Sequence, residues 1–147
     1  MSAYAAERGV HLAVTRFPAT TRTAQDAARE IGCTVGEIVK SLVFVAGGDP
    51  VVVLCSGAAR VDESKLTGLL GTSGVRRATA DEAKSATGYA IGGVPPFAHA
   101  SEVRVIVDRG LLSFATVWAA AGLPDAVFPI EPAELVRLSA ATEADVT

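Results

Sequence analysis

The chain has 147 residues, half of them hydrophobic, and a net charge of −3; its mean hydropathy is +0.37 and its pI is near 5.3. These totals exclude a disordered polyelectrolyte and fit a single domain, residues 1–147, with a substantial core of Val, Leu, Ile and Ala, since aromatics are only 5%. The acidic balance argues against a protein that coats DNA or another long phosphate backbone, while leaving room for a local basic patch that holds one end of a nucleic acid. Cys33 and Cys55 are too few for a disulfide framework and lack zinc-like spacing. The opening MSAYAAERG lacks a signal peptide's apolar core, and no apolar run is long enough to span a membrane. The expectation is a soluble, cytoplasmic chain with reduced thiols.

In chain order, residues 4–9 read as the end of a helix stopped by Gly9, and Val10–Phe17 as a strand ended by Pro18. Thr23 and Asp26 open a helix over Ala24–Ile31 that Gly32 terminates, with Ala27, Ala28 and Ile31 facing the core. Thr34 and Glu37 have capping-box spacing and predict a short helix over 35–40, then a strand over Leu42–Ala46. Gly47-Gly48-Asp49-Pro50 is a turn, longer than a tight two-residue one, leading into the strand Val51–Cys55. Together these two strands predict a hairpin.

Asp62 caps a helix carrying Leu66, Leu69 and Leu70, broken by Gly71 and Gly74. A brief strand over Val75–Ala78 precedes a third capping-box pair, Thr79 and Glu82, whose helix ends at Gly88. Paired glycines and prolines then make Gly88–His99 a rigid loop, with Gly92 and Gly93 allowing close backbone approach. Glu102–Val107 reads as a central strand, and Leu111–Trp118 fits strand or helix. Ala126–Ile130 is a short strand, Pro132 starts a helix over Ala133–Leu138, and the tail from about Ala140 is expected to be mobile. Hairpin-like pairs among helices predict an α+β fold: a mixed, largely antiparallel sheet with packed helices.

Few residues suggest chemistry. Lys40, flanked by Val39 and Leu42 at the expected helix–strand switch, either caps a helix dipole or turns its amine to the rim of a pocket. His11 and His99 are far apart and suggest no metal site, though His99 follows the glycine-proline loop. Cys33 precedes a helix start, where a thiolate is stabilised, but has no partner base; Cys55 reads as core. Ser56-Gly57 and Ser73-Gly74 are turns, and Gly92-Gly93 is no phosphate-binding loop. Arg76-Arg77 is the only adjacent basic pair, either a solvated strand end or a phosphate contact.

The order of elements, with TRTAQDAAREIG at 21–32, IVKSLVF at 38–44, VVVLCSGAARVDESKL at 51–66 and TGYAIGGVPPF at 87–97, resembles the YbaK family. These are free-standing editing domains related to the insertion domain of prolyl-tRNA synthetase. The resemblance covers nearly the whole chain and rests on the second and fourth stretches together. It implies a YbaK/prolyl-tRNA synthetase associated domain-like fold. The implied activity is hydrolysis of the ester joining a wrong amino acid to the terminal adenosine of tRNA, with no cofactor and no metal.

Within the resemblance, Lys40 matches the residue most tied to activity, and Ser41 lines the same pocket. Gly92 and Gly93 bring backbone groups to the ester, Gly93 able to steady an oxyanion, and Pro96 belongs to the same loop. A lysine amine is ordinarily protonated at neutral pH, so Lys40 reads as an anchor for the terminal ribose-phosphate and not as a base. Many relatives carry a serine where this chain has Ala120, in the run ending at Gly122, and basic residues where it has Leu123-Pro124-Asp125. An alanine wall suits a small side chain: alanine, serine or cysteine. Arg76, Arg77 and His99 are the candidate tRNA contacts. The expected partners are a mischarged tRNA of the tRNA(Pro) type, acted on in trans, and prolyl-tRNA synthetase, with monomer and homodimer both open. The alternatives are a non-catalytic tRNA- or synthetase-binding module and a hydrolase of a small aminoacyl ester.

Overall fold

In this computed structural model the described residues are 1–18 and 23–147; Thr21 and Arg22 of the TRTAQDAAREIG stretch lie outside them. The centre of the fold is the hairpin of β2 (Val39–Ala46) and β3 (Asp49–Ser56), whose residues pair antiparallel from Val39 opposite Ser56 to Ala46 opposite Asp49. Its turn is tighter than the sequence suggests. Asp49 and Pro50 already belong to the ladder, and the two-residue connection is Gly47-Gly48. Both glycines have positive φ, 59° and 87°, the backbone that matches the right-handed twist of the flanking strands.

β3 continues into the sheet by pairing parallel with β5 (Arg104–Asp108), and β5 pairs parallel with β8 (Thr142–Ala144). On the far side, β4 (Arg76–Arg77) pairs antiparallel with β2, but only at Phe44 and Val45. The five-stranded order is therefore β4-β2-β3-β5-β8. A smaller antiparallel sheet is built from β1 (Thr15–Arg16), β7 (Ala126–Ile130) and β6 (Val117–Ala120), in the order β1-β7-β6. The α+β reading with a mixed sheet is correct.

VVVLC reads as an unbroken apolar run because both faces of β3 are covered. Val52 and Leu54 join Val39, Val43, Val94, Phe97 and Phe128 on one face. Val51 and Val53 join Phe44, Leu66 and Val146 on the other. The helices are α1 (Ser2–Glu7), α2 (Ala24–Ile31), α3 (Glu63–Leu70), α4 (Ala80–Thr87) and α5 (Pro132–Ser139). Capping boxes at Thr23/Asp26 and Thr79/Glu82 start α2 and α4 as their spacing predicts, and Asp62 caps α3.

Several expectations change. The Thr34/Glu37 pair opens only one 3-10 turn, Val35–Glu37, so Lys40 lies inside β2 instead of at a helix end. The turn is cut short because Gly57 N–H claims the Ile38 carbonyl and Val39 already pairs with Ser56. Val10–Phe17 yields only Thr15–Arg16 as strand, since β7 offers partners to those two residues alone. Leu111–Trp118 divides into a 3-10 turn ending at Ser113 and the start of β6.

The tail, expected to be mobile, is packed against the sheet in this structure. After Ala140 takes a left-handed turn (φ 53°), the chain returns as β8 and buries Val146 completely. Asp108, itself 3% exposed, accepts hydrogen bonds from Val146 N–H at 3.0 Å, Gly110 N–H at 3.1 Å and Thr147 Oγ1 at 3.2 Å. Asp108→Ala strands two N–H donors and is expected to cost ~2 kcal/mol. Urea unfolding checks the loss, and hydrogen exchange of the Val146 amide should accelerate before that of the β2–β3 hairpin.

Candidate active site

The open part of β2 determines where a site can form. Along one edge β2 is fully paired with β3; along the other, β4 begins only at Phe44, and Ile38 makes a single parallel bridge with Trp118 of β6. Between them, residues 39–43 border a cavity of about 260 Å³. Its other walls are the first turn of α2 (Thr23, Ala24, Ala27), Trp118 and Ala120 of β6, and Ile91, Gly92 and Val94 of the glycine-proline loop. Arg77 and Pro124 also border it.

Lys40 and Ser41 both border this cavity but leave β2 on opposite faces, as adjacent strand residues must. Lys40 stands across from Cys55 and donates from Nζ to the Ala59 carbonyl. It forms no ion pair among the described residues, so its charge is not cancelled by a carboxylate. Burial pushes the Cys55 thiol up, with the Lys40 charge opposing. Ser41 stands across from Leu54 on the face shared with Val39 and Val43, and its Oγ is buried without a hydrogen-bond partner.

The loop is held against β6 by close backbone contact. Gly92 has φ 92°, a conformation that strains any L side chain. A Cβ on Gly93 would lie 3.0–3.2 Å from the backbone of Leu123, and one on Gly122 would meet Tyr89 Cε1 at 3.0 Å. So Gly92 borders the cavity, whereas Gly93 and Gly122 set the spacing of its walls. Pro96 is buried behind the loop and does not border the cavity.

The adjacent arginines separate in role. Arg76 makes a two-pronged ion pair with Glu82, at 2.7 and 2.8 Å, which holds the Glu82 carboxyl down at about 2. Arg77 reaches the cavity, with its guanidinium 5.4 Å above the Phe44 ring and no carboxylate partner among the described residues. His99 lies elsewhere, in a second cleft of about 730 Å³ with Tyr4 and Phe97. Cys33 is no activated thiol: burial and then the Glu37 charge raise it. Among the described residues no three potential metal ligands lie together, and no helix is long and apolar enough to cross a membrane.

Trp118, Ile91 and the first turn of α2 are site residues that the sequence reading missed. Ile91 is 51% exposed beside the cavity, and Leu123, against Gly93, is 46% exposed. For Ile91 the available signal was an apolar side chain inside a glycine-rich loop; for Trp118 and the α2 turn there was none.

The model of the aminoacyl-tRNA editing domain matches residues 18–138. The chain belongs to that family. It is 35% identical over 127 residues to the uncharacterized protein YwhH of Bacillus subtilis (strain 168), covering 86% of this chain and 80% of that protein. It is also 34% identical over 98 residues to the proline–tRNA ligase of Citrifermentans bemidjiense, a match that takes in 65% of this chain but only 17% of the ligase. A crystal structure provisionally described as a trans-editing enzyme for prolyl tRNA synthetase superposes with a TM-score of 0.94 at 44% identity, covering 99% of this chain and 93% of that one. The YbaK-type resemblance is thus correct as to family and fold.

His99 supplies a pH test of the second cleft. Burial lowers its affinity for a proton, with the Pro95 carbonyl, 2.7 Å from Nε2, opposing. A histidine depressed on folding favours the native state fully above its unfolded value, about 6.5, and that stability is lost as pH falls below it toward the folded value. Unfolding free energy should therefore decline as pH falls below about 6.5, and His99→Gln should flatten that decline in urea titrations.

Proposed function

We propose that this editing domain hydrolyses, in trans, the ester of a small amino acid mischarged onto tRNA, of the tRNA(Pro) type. The observation that carries the reading is the cavity at the open edge of β2. There an unneutralised lysine, a serine and the Gly92 backbone border a small, mostly apolar space. Ala120 keeps the β6 wall small, so the amino acid is of the alanine, serine or cysteine class. The small volume resists larger residues by overpacking.

In this reading Lys40 anchors the terminal ribose-phosphate and orients the ester, and the Gly92 backbone, which borders the cavity, steadies the developing oxyanion; Gly93, expected to do so, already gives its N–H to the Ala90 carbonyl at 3.0 Å. Arg77 is the phosphate contact beside the cavity, and Arg76, engaged by Glu82, is a structural brace. The exposed Ile91 and Leu123 offer an apolar lip for the terminal adenine. Because the net charge is −3, affinity for the tRNA body comes chiefly from its end or from a prolyl-tRNA synthetase partner.

A hydrolase of small aminoacyl esters is the second reading. It is favoured by ion pairing that removes Arg8, Arg16, Arg29, Lys65, Arg76 and Arg137 from the pool of free cations.

The test is deacylation of tRNAs charged with alanine, serine, cysteine, threonine or proline, using wild type, Lys40→Ala, Arg77→Ala and Arg76→Ala. Lys40→Ala is expected to lower turnover ~100-fold or more, Arg77→Ala to raise KM with a weakened salt dependence, and Arg76→Ala to do neither. Equal turnover on aminoacyl-adenosine would favour the small-ester hydrolase. No turnover on the charged tRNAs, even with prolyl-tRNA synthetase present, nor on aminoacyl-adenosine would refute both and leave a binding module.

A further inference from the structure

We propose that Ser56 is a positioning residue for Lys40. Through its hydroxyl it fixes the turn Ser56–Ala59, whose last carbonyl holds the Lys40 amine at the cavity. This deepens the deacylase reading and rests on it.

A lysine stem is flexible, and ordering it costs conformational entropy each time the amine meets a ligand. Here the amine is already met: Lys40 Nζ donates to the Ala59 carbonyl. A carbonyl is neutral, so it directs the amine without cancelling its charge as a carboxylate would. The same positive charge is felt by the Cys55 thiol across the hairpin, where it opposes the effect of burial. Lys40 is thus steered and still open to an anion.

The carbonyl can steer only if the turn that carries it stays in place. Ala59 N–H donates to the Ser56 carbonyl at 3.0 Å and closes the turn. Gly57 N–H donates to the Ile38 carbonyl at 2.7 Å and ties the turn to the start of β2. Ser56 Oγ accepts from Ala58 N–H at 3.2 Å within the turn and donates to the Gly36 carbonyl at 2.7 Å, in the 3-10 turn across from it. Gly57 has no room for a side chain. A Cβ there would lie 2.6 Å from the Val35 carbonyl oxygen and 3.1 Å from the Cβ of Ala24, which borders the cavity.

Of these ties, only the two made by Ser56 Oγ come from a side chain. Ser56 is 7% exposed, and removing its hydroxyl leaves the buried Gly36 carbonyl without that donor. The turn then loosens, and the Ala59 carbonyl no longer keeps the amine in one place. A misplacement of about 1 Å in an orienting group is enough to cost a large factor in rate.

The experiment measures kcat/KM on tRNA charged with alanine or serine for wild type, Ser56→Ala, Ser56→Thr and Ser56→Val, each with and without Lys40→Ala. In parallel, 13C relaxation of the lysine Cε groups reports their mobility. The chain has three lysines, Lys40, Lys65 and Lys84, so the Lys40 signal is assigned by its loss in Lys40→Ala. Ser56→Ala and Ser56→Val should lower kcat/KM ~10-fold and free the Lys40 Cε while leaving that of Lys84 unchanged. Ser56→Thr, which keeps the hydroxyl in the volume of valine, should restore most of both. In the Lys40→Ala background none of the three should cost more, because the group they position is gone. A further loss in that background, or a Lys40 Cε as rigid in Ser56→Ala as in wild type, overturns this inference and leaves the deacylase reading standing, since Ser56 would then serve the fold alone. Folded Ser56→Val as active as folded Ser56→Thr overturns it too; should their added methyl prevent folding, Ser56→Ala in the two backgrounds decides. Absence of turnover in wild type overturns the deacylase reading and this inference with it.

Discussion

The pairing of β2 with β3 constrains everything else in this molecule. Eight residue pairs lock the hairpin in register, and a one-residue slip would exchange every side chain between the two buried faces. The register places Ser41 toward the cluster under the glycine-proline loop and Lys40 toward Cys55 and the Ala59 carbonyl. Both faces being covered, the approach to these two residues is along the edge, where β4 stops at Phe44 and the Trp118 bridge is confined to Ile38. The candidate site is in this sense an unfinished sheet edge, closed by other elements at a short distance.

That closure depends on glycine used in two different ways. Gly92 permits a left-handed backbone where the loop turns over the cavity. Gly93 instead permits close approach to the backbone of Leu123, and Gly122 serves in both ways, with φ 97° and the ring of Tyr89 against it. A side chain at Gly93 would press on backbone, which cannot rotate away, so the loop and the β6–β7 hairpin would separate. The distance between the loop and Ala120 is therefore a packing property of residues that do not border the cavity themselves.

Electrostatics sharpens the same picture. Most arginines with an acidic neighbour are consumed in surface pairs worth little individually; Arg16, for instance, holds Asp125 at 2.7 Å and keeps its carboxyl below the usual range. The cations that border the cavity, Lys40 and Arg77, are spared. A modestly acidic protein can in this way keep positive charge where a phosphate-bearing ligand end would arrive.

The sequence by itself determined the elements that rest on local chemistry. The capping boxes at Thr23 and Thr79, the Asp62 cap, the Pro132 helix start and the pairing of the apolar β2–β3 strands all follow from nearby residues, whose hydrogen bonds need no distant partner. The motifs around Lys40 and Gly92 also sufficed to identify the family. Where distant partners compete, tertiary structure decided. Gly57 and Ser56 ended the Thr34 turn early and moved Lys40 from a helix end into a strand, and Asp108 drew a polar tail back onto the sheet. The separation of Arg76 from Arg77 depended on Glu82 and Phe44 lying on different sides of β4. The hold on Lys40 was likewise invisible in sequence, because which acceptor a lysine meets depends on how separate segments pack, and here the Ala59 carbonyl is set in place by ties to Gly36 and Ile38.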